Sequence, residues 1–250
     1  MKTGYLAAVI ALSTLTVSVA ADEDRVWSVT AELGAISTSG NTEGTTVNGK
    51  LTAKQELERW HNEYVASALY KEDEFTREDG VQVSEVSAEK YFLSAKSAYQ
   101  LSNEHGNLFV FGSHTHDEFG AYRKYTVASA GYGLRLIDGE AVTFDAEIGP
   151  GYYWGEKVLA DDIIEKDEGA MLRAAADFVW RITENAAFNQ KLAIDAAEDN
   201  TRYVSDTSVS TKISDRMQMK VGYSLTHNTD VAPGKEGTDT TTYINLVYNF

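Results

Sequence analysis

Cysteine is absent from the 250-residue sequence, which excludes a disulfide framework, a thiolate metal site and a lipid-anchored cysteine at a mature amino terminus. Proline occurs only twice, and no Pro-, Gly- or Ser-rich linker divides the chain, so a single domain is expected. Positive charge is scarce. The 22 Lys and Arg face 38 Asp and Glu for a formal charge of −16, which speaks against nucleic acid as a partner. Past the first twenty residues no apolar run approaches the roughly 18 residues of a membrane helix, so a helical span is excluded.

The opening "MKTGYLAAVIALSTLTVSVA" has one charge, Lys2, an apolar core from Tyr5 to Leu15, and small residues at Ser18, Ala20 and Ala21. That pattern predicts a secretory signal peptide over residues 1–21, too short and wrongly flanked to stay in a membrane as a helix. Residues 22–250 are then the mature chain. Loss of Lys2 takes its formal charge from −16 to −17.

The mature chain alternates. In "TTTYINLVYNF", residues 240–250, Thr242, Ile244, Leu246, Tyr248 and Phe250 share one strand face and Thr241, Tyr243, Asn245, Val247 and Asn249 the other. Segments of similar length with the same period recur near 26–36, 44–57, 62–72, 86–101, 107–117, 124–137, 141–154, 169–182, 186–197, 204–213, 217–228 and 240–250. Short connections such as "DGE" at 138–140 and "SDR" at 214–216 take turns with longer acidic ones such as "EDEFTREDGVQVSE" at 72–85 and "GEKVLADDIIEKDE" at 155–168. This predicts an all-β protein: a transmembrane antiparallel β-barrel of about 12 strands with short periplasmic turns, longer acidic extracellular loops and both termini periplasmic.

A soluble barrel would alternate as well, with its apolar set inside. Aromatics near strand ends, such as Trp27, Tyr91, Tyr99, Tyr152, Phe178, Trp180, Tyr248 and Phe250, suit the interfacial girdles of a membrane barrel instead. The other face is strongly charged. Lys50, Lys54, Lys90, Lys96, Arg135, Arg173, Arg181, Lys191, Lys212 and Lys220 stand against Glu32, Glu56, Asp145, Glu147, Asp177, Asp195 and Asp206, and a barrel of this size has room to pair them or keep them wet inside.

The stretches "TSGNTE" at 38–43, "RWHNE" at 59–63, "GYGLRLID" at 131–138, "EIGPGYYWG" at 147–155, "VWRITENAAFNQ" at 179–190 and "GTDTTTYINLVYNF" at 237–250 resemble, in order and over nearly the whole mature chain, an uncharacterised bacterial outer-membrane family described as salt-induced outer membrane proteins. The resemblance implies residence in the Gram-negative outer membrane and a response to salt or other stress. The aromatic end, Tyr248 and Phe250, also resembles the carboxy-terminal signal read by the barrel-assembly machinery. Lipid, lipopolysaccharide and that machinery are the partners implied.

Candidate chemistry is sparse. His114 and His116 share a strand face at a metal-pair spacing, but no convincing third ligand accompanies them. Ser113 lies on the face opposite His114 and His116, as Ser224 does to His227, so neither serine meets a base in its own strand, and no enzyme activity and no cofactor are expected. "TSGNTEG" reads as a hairpin tip with Gly40 and Asn41 in the turn. Pro150 inside a strand predicts a bulge or kink. The charged face remains as the functional clue. Ten basic against seven acidic residues in an open lumen would favour small anions, and Arg135→Glu or Arg173→Glu would reverse that preference. Charges that neutralise one another would instead give a plugged barrel with a structural or surface-interaction role.

Overall fold

The computed structural model describes residues 26–38, 43–76, 81–101, 105–159 and 163–250; the expected signal peptide and the Gly40–Asn41 turn lie outside them. Twelve strands follow in chain order: β1 (Trp27–Thr38), β2 (Glu43–Glu56), β3 (Trp60–Thr76), β4 (Gln82–Gln100), β5 (Gly106–Asp117), β6 (Lys124–Asp138), β7 (Val142–Val158), β8 (Ile164–Arg181), β9 (Ala186–Ala197), β10 (Thr201–Lys212), β11 (Met217–Asn228) and β12 (Thr238–Asn249). Each pairs antiparallel with its neighbours, and β12 closes on β1 from Thr30↔Asn249 to Leu33↔Leu246. The amide of Phe250 adds a bond to the Val29 carbonyl at 3.0 Å, so the terminal aromatic is tied into the closing seam. Closure removes every sheet edge. An even strand count puts both chain ends at one rim, called here the terminal rim; the other is the loop rim.

Paired residues of an antiparallel ladder point to the same side. Glu32, Lys50, Ser67, Phe92, Thr115 and Tyr125 therefore share a face across β1 to β6. That face is the interior, because its members touch along chords. Lys220 on β11 reaches Glu32 on β1 at 3.1 Å past β12, the Arg173 guanidinium of β8 lies 4.2 Å from the Phe111 ring of β5, and Arg202 of β10 lies 4.6 Å from the Tyr125 ring of β6.

The opposite face is a continuous apolar belt. Leu33, Leu51, Leu93, Val110, Ile148, Leu172, Val221 and Leu246 are each about half exposed on it, a surface far larger than a water-soluble monomer shows. Aromatic bands edge the belt. Near the terminal rim Trp27 stacks on Tyr64, Trp60 meets Tyr99, Phe178 sits between Phe144 and Phe188, and Tyr248 packs on Phe250. Toward the loop rim the ring pairs are Tyr91 with His116, Tyr152 with Trp154, and Tyr203 with His227. From Phe144 to Trp154 along β7 the belt matches the about 9–11 tilted residues that cross a bilayer.

Trp27 pairs with Gln55 and Tyr70 with Val47, so Leu51 lies midway between the bands. Leu51→Arg is expected to cost about 2–4 kcal/mol, the penalty of a lipid-facing cation at mid-depth, whereas Thr52→Arg, aimed inward, is tolerated. Urea titrations of both variants folded into lipid vesicles check this; equal costs would contradict the face assignment.

Two features depart from the alternation pattern. The acidic stretches at 72–85 and 155–168 run largely as strand, so β3, β4, β7 and β8 extend further toward the loop rim than apolar periodicity indicates. Between β6 and β7 the ladder pairs skip Ala130 and Gly131, opposite Pro150 and Gly149, without a change of register, and the register shifts further along, between Arg135 and Ile137. The bulge thus lies at Arg135–Ile137 and not at Pro150, whose strand keeps its register with both neighbours. Gly131 and Gly149 face each other at the skipped pairs, and a Cβ on Gly131 would lie 2.2 Å from the Ile148 carbonyl oxygen. The strands approach this closely because neither residue has a side chain.

Candidate functional site

The polar interior is the candidate site, and it has three levels. Nearest the terminal rim, Arg135 makes a two-pronged pair with Asp145 at 2.8 and 3.2 Å and reaches Asp138 at 3.6 Å. Arg181 donates to the Glu140 carbonyl at 2.6 Å. Lys212 ends β10 at the same rim, exposed.

The middle level is a belt of ion pairs. Lys54 pairs with Glu63 at 3.3 Å, Lys191 with Asp177 at 3.2 Å, and Lys96 reaches across from β4 to Glu147 on β7. Lys220 holds both oxygens of Glu32 at 3.1 and 3.2 Å, while Asn245 donates to the same carboxylate and accepts from Asn48. The Tyr243 hydroxyl lies 3.0 Å from each oxygen of Asp206. Lys50 projects into this belt from β2 and has no ion pair among the described residues.

The level toward the loop rim is packed. Arg173 holds Asp195 at 2.5 Å with both side chains largely buried. Arg202 donates to Asn228, which also accepts from Asn200. Lys90 pairs with Asp117 at 3.0 Å. Lys157, 5% exposed, binds Asp167 at 3.0 Å and Asp230 of the β11–β12 connection. Asp167 accepts further hydrogen bonds from Tyr122 at 2.6 Å and Tyr153 at 2.7 Å. Around them Ala121, Tyr122, Tyr125, Val127, Tyr153 and Met171 form the main buried apolar cluster. The β5–β6 connection (118–123) and the β11–β12 connection (229–237) thus fold inward, and Lys235 of the second donates to the Phe119 carbonyl of the first.

The two halves of the lumen differ in access to water. Lys54, Lys191 and Arg135 keep 49%, 48% and 45% of their side-chain surface, against 5% for both Lys157 and Asp195. Solvent reaches the Lys54 and Lys191 pairs of the middle belt, while Lys220 and Glu32 of the same belt are largely buried. On the β6–β11 side the rest of the path is filled.

All thirteen charged positions proposed from sequence, Lys50, Lys54, Lys96, Arg135, Asp145, Glu147, Arg173, Asp177, Arg181, Lys191, Asp195, Lys212 and Lys220, fall on the ladder face just described. The surroundings of two alter their meaning. Arg135 and Arg173 are each neutralised by a carboxylate in direct contact, so reversing either charge would break a pair before it retuned a field. Sequence reasoning missed Glu63, Asp117, Lys157, Asp167 and Arg202. Glu63 and Asp117 have the inward parity, a usable signal; Lys157 and Asp167 sit in a stretch whose acidity reads as loop. The remaining candidates stand apart. His114 and His116 take the outward face opposite Ser113, and His227 the outward face opposite Ser224. His114 Nδ1 lies 2.8 Å from Thr126 Oγ1. Among the described residues no group of three His, Asp or Glu is placed to hold a metal ion.

Burial, and then the hydrogen bond to Asp167, push the Tyr122 phenol far above its ordinary range. The folded barrel then holds the Tyr122 proton where the unfolded chain gives it up, so this stabilisation is complete below about pH 10 and is lost as pH rises beyond it. The urea midpoint is expected to fall above that pH, and to fall less in Tyr122→Phe; identical alkaline profiles would remove Tyr122 from the packing at the mouth.

The chain is 28% identical over 217 residues to "Uncharacterized protein YdiY" of Escherichia coli (strain K12), covering 86% of this chain and 80% of that one. Among solved structures, the NanC porin is similar over 89% of this chain and 98% of its own, at 10% identity and a TM-score of 0.49. An outer membrane channel from Pseudomonas putida F1 is similar over 89% and 93%, at 14% identity and a TM-score of 0.46. The family described as "Protein of unknown function, DUF481" matches residues 31–250, the barrel from within β1 to the last residue, and the chain belongs to that family.

Proposed function

We propose that this protein is a non-catalytic outer-membrane pore for small polar solutes, exported by a signal peptide over residues 1–21 and inserted with both termini periplasmic. The observation that carries this reading is the wet inner half: Lys54, Lys191 and Arg135 remain about half exposed inside a closed wall, and charge inside a membrane barrel marks a solute path. Because most interior cations have a carboxylate beside them, charge selectivity is weak. The tyrosine-lined packing behind the loop rim narrows the passage, so size selects more strongly than sign.

A role in the response to salt, implied by the resemblance, belongs to the same proposal. Raised ionic strength screens water-accessible pairs such as Lys54–Glu63 and Lys191–Asp177 far more than buried ones such as Arg173–Asp195. Permeation would then change with salt while the fold does not. The Tyr248–Phe250 end serves assembly.

Swelling of liposomes containing the folded protein, in uncharged solutes of graded size, tests the pore. Small polyols are expected to enter and disaccharides to be retarded. No swelling from demonstrably folded protein would favour the alternative of a plugged barrel whose acidic outer hairpins meet lipopolysaccharide.

A further inference from the structure

We infer that Lys50 is the anion-docking residue of the lumen, an ammonium left open for a small monoanion in passage; the inference rests on the pore reading above. Each of the other middle-belt cations, Lys54, Lys96, Lys191 and Lys220, has a carboxylate within ion-pair reach. Arg202, toward the loop rim, lies over Tyr125 and bonds Asn228. Lys50 has neither an ion pair nor a hydrogen bond of this kind among the described residues. An interior charge without a partner is costly. A site that carries one is complete only when a counter-charge arrives.

The groups around Lys50 show why its partner is not supplied from within. Its register neighbours are Glu32 on β1 and Ser67 on β3. The Glu32 carboxylate is turned to Lys220 and Asn245. Asp206, the other nearby acid, shares the single Tyr243 hydroxyl proton between its two oxygens. Lys191 and Lys220 complete the electrostatic surroundings, and both already have partners. Three ammonium groups thus share a level with Glu32 and Asp206, whose oxygens face Lys220, Asn245 and Tyr243, and the one without an acceptor is Lys50. A single ammonium outside any ion pair offers one contact, which fits a monoanion such as chloride or a small carboxylate. A polyanion would have to displace Glu32 or Asp206 from their existing bonds.

The test uses the full mature barrel in detergent micelles with its lysines reductively methylated with carbon-13, titrated with chloride in place of gluconate at constant ionic strength. The resonance missing from the Lys50→Met variant is expected to shift saturably while those of Lys54 and Lys191 do not. An unmoved Lys50 resonance would overturn the inference. In planar bilayers the anion-over-cation permeability ratio of Lys50→Met is expected to fall to parity or below, and that of Lys50→Glu further, with the wild-type fold retained; an unchanged ratio in both variants would also overturn it. A wild-type barrel silent in bilayers whose Lys50 resonance still saturates would defeat the pore reading and leave the anion site standing.

Discussion

Gly131→Val is expected to abolish the folded barrel. A Cβ at Gly131 would lie 2.2 Å from the Ile148 carbonyl oxygen and 2.6 Å from the Gly149 Cα, and the reciprocal substitution at Gly149 meets the Ala130 oxygen and the Gly131 Cα at the same distances. All of these atoms are backbone, so no rotamer change relieves the overlap. Either the β6–β7 ladder parts, leaving unpaired amides in lipid, or the two strands slip to another register. The cost exceeds the about 1–3 kcal/mol usual for overpacking a core that can adjust its side chains. Gly49→Ala is the control, since its Cβ meets nothing nearer than the Glu32 carbonyl at 3.8 Å. Refolding yield followed by heat-modifiable gel mobility is expected to be near zero for Gly131→Val and Gly149→Val and unchanged for Gly49→Ala. Wild-type yield from either valine variant would show that the close crossing is dispensable.

Lys157→Met is expected to free the mouth of the barrel while leaving the wall intact. Lys157 joins Asp167 of β8 to Asp230 of the β11–β12 connection and lies 5.0 Å from the Tyr122 ring. Removing one partner of a buried ion pair costs about 3–5 kcal/mol when the remaining charge has no other support. Here the cost is smaller, because Asp230 is half exposed and Asp167 keeps two tyrosine donors. The loss therefore falls on the docking of residues 229–237 rather than on global stability. Proteolytic cleavage within 229–237 should accelerate and channel conductance should rise. Lys157→Met with Asp167→Asn should recover part of the stability, as expected when both halves of a pair are removed together. Unchanged cleavage and conductance would mean that this pair does not hold the loops inward.

The barrel was legible in the sequence because each strand meets lipid on one side and a polar interior on the other, which imposes the period of two that the residues show. The two strands "AAFNQKLAIDAA" and "MQMKVGYSLTHN" were readable to their observed bounds, 186–197 and 217–228. Beyond the membrane that contrast fades. Both faces of the β7–β8 hairpin meet water or packed loops there, so "GEKVLADDIIEKDE" reads as loop although its ladder continues to Val158↔Ile164. The charged face followed from parity, but which charges neutralise one another did not. Lys96 meets Glu147 and Lys220 meets Glu32 across intervening strands, and those chords depend on how the sheet closes. Closure also decides that Lys50 is left over. The packed mouth was least legible, since Tyr122 in "DEFGAYR" carries no sign that its connection turns inward to meet Asp167. His116 and His227, weighed from sequence as a metal-pair member and as a candidate base, sit beside Tyr91 and Tyr203 in the aromatic band of the loop rim.

Single-channel recording of the refolded wild-type protein in planar bilayers, with reversal potentials taken in a salt gradient, tests the pore most directly. Steady, small conductance steps with a weak preference for anions are expected from a wet inner half, a narrowed mouth and one open ammonium. Silence from protein shown to be folded and inserted would contradict the pore, and would mean that the packing behind the loop rim seals the barrel.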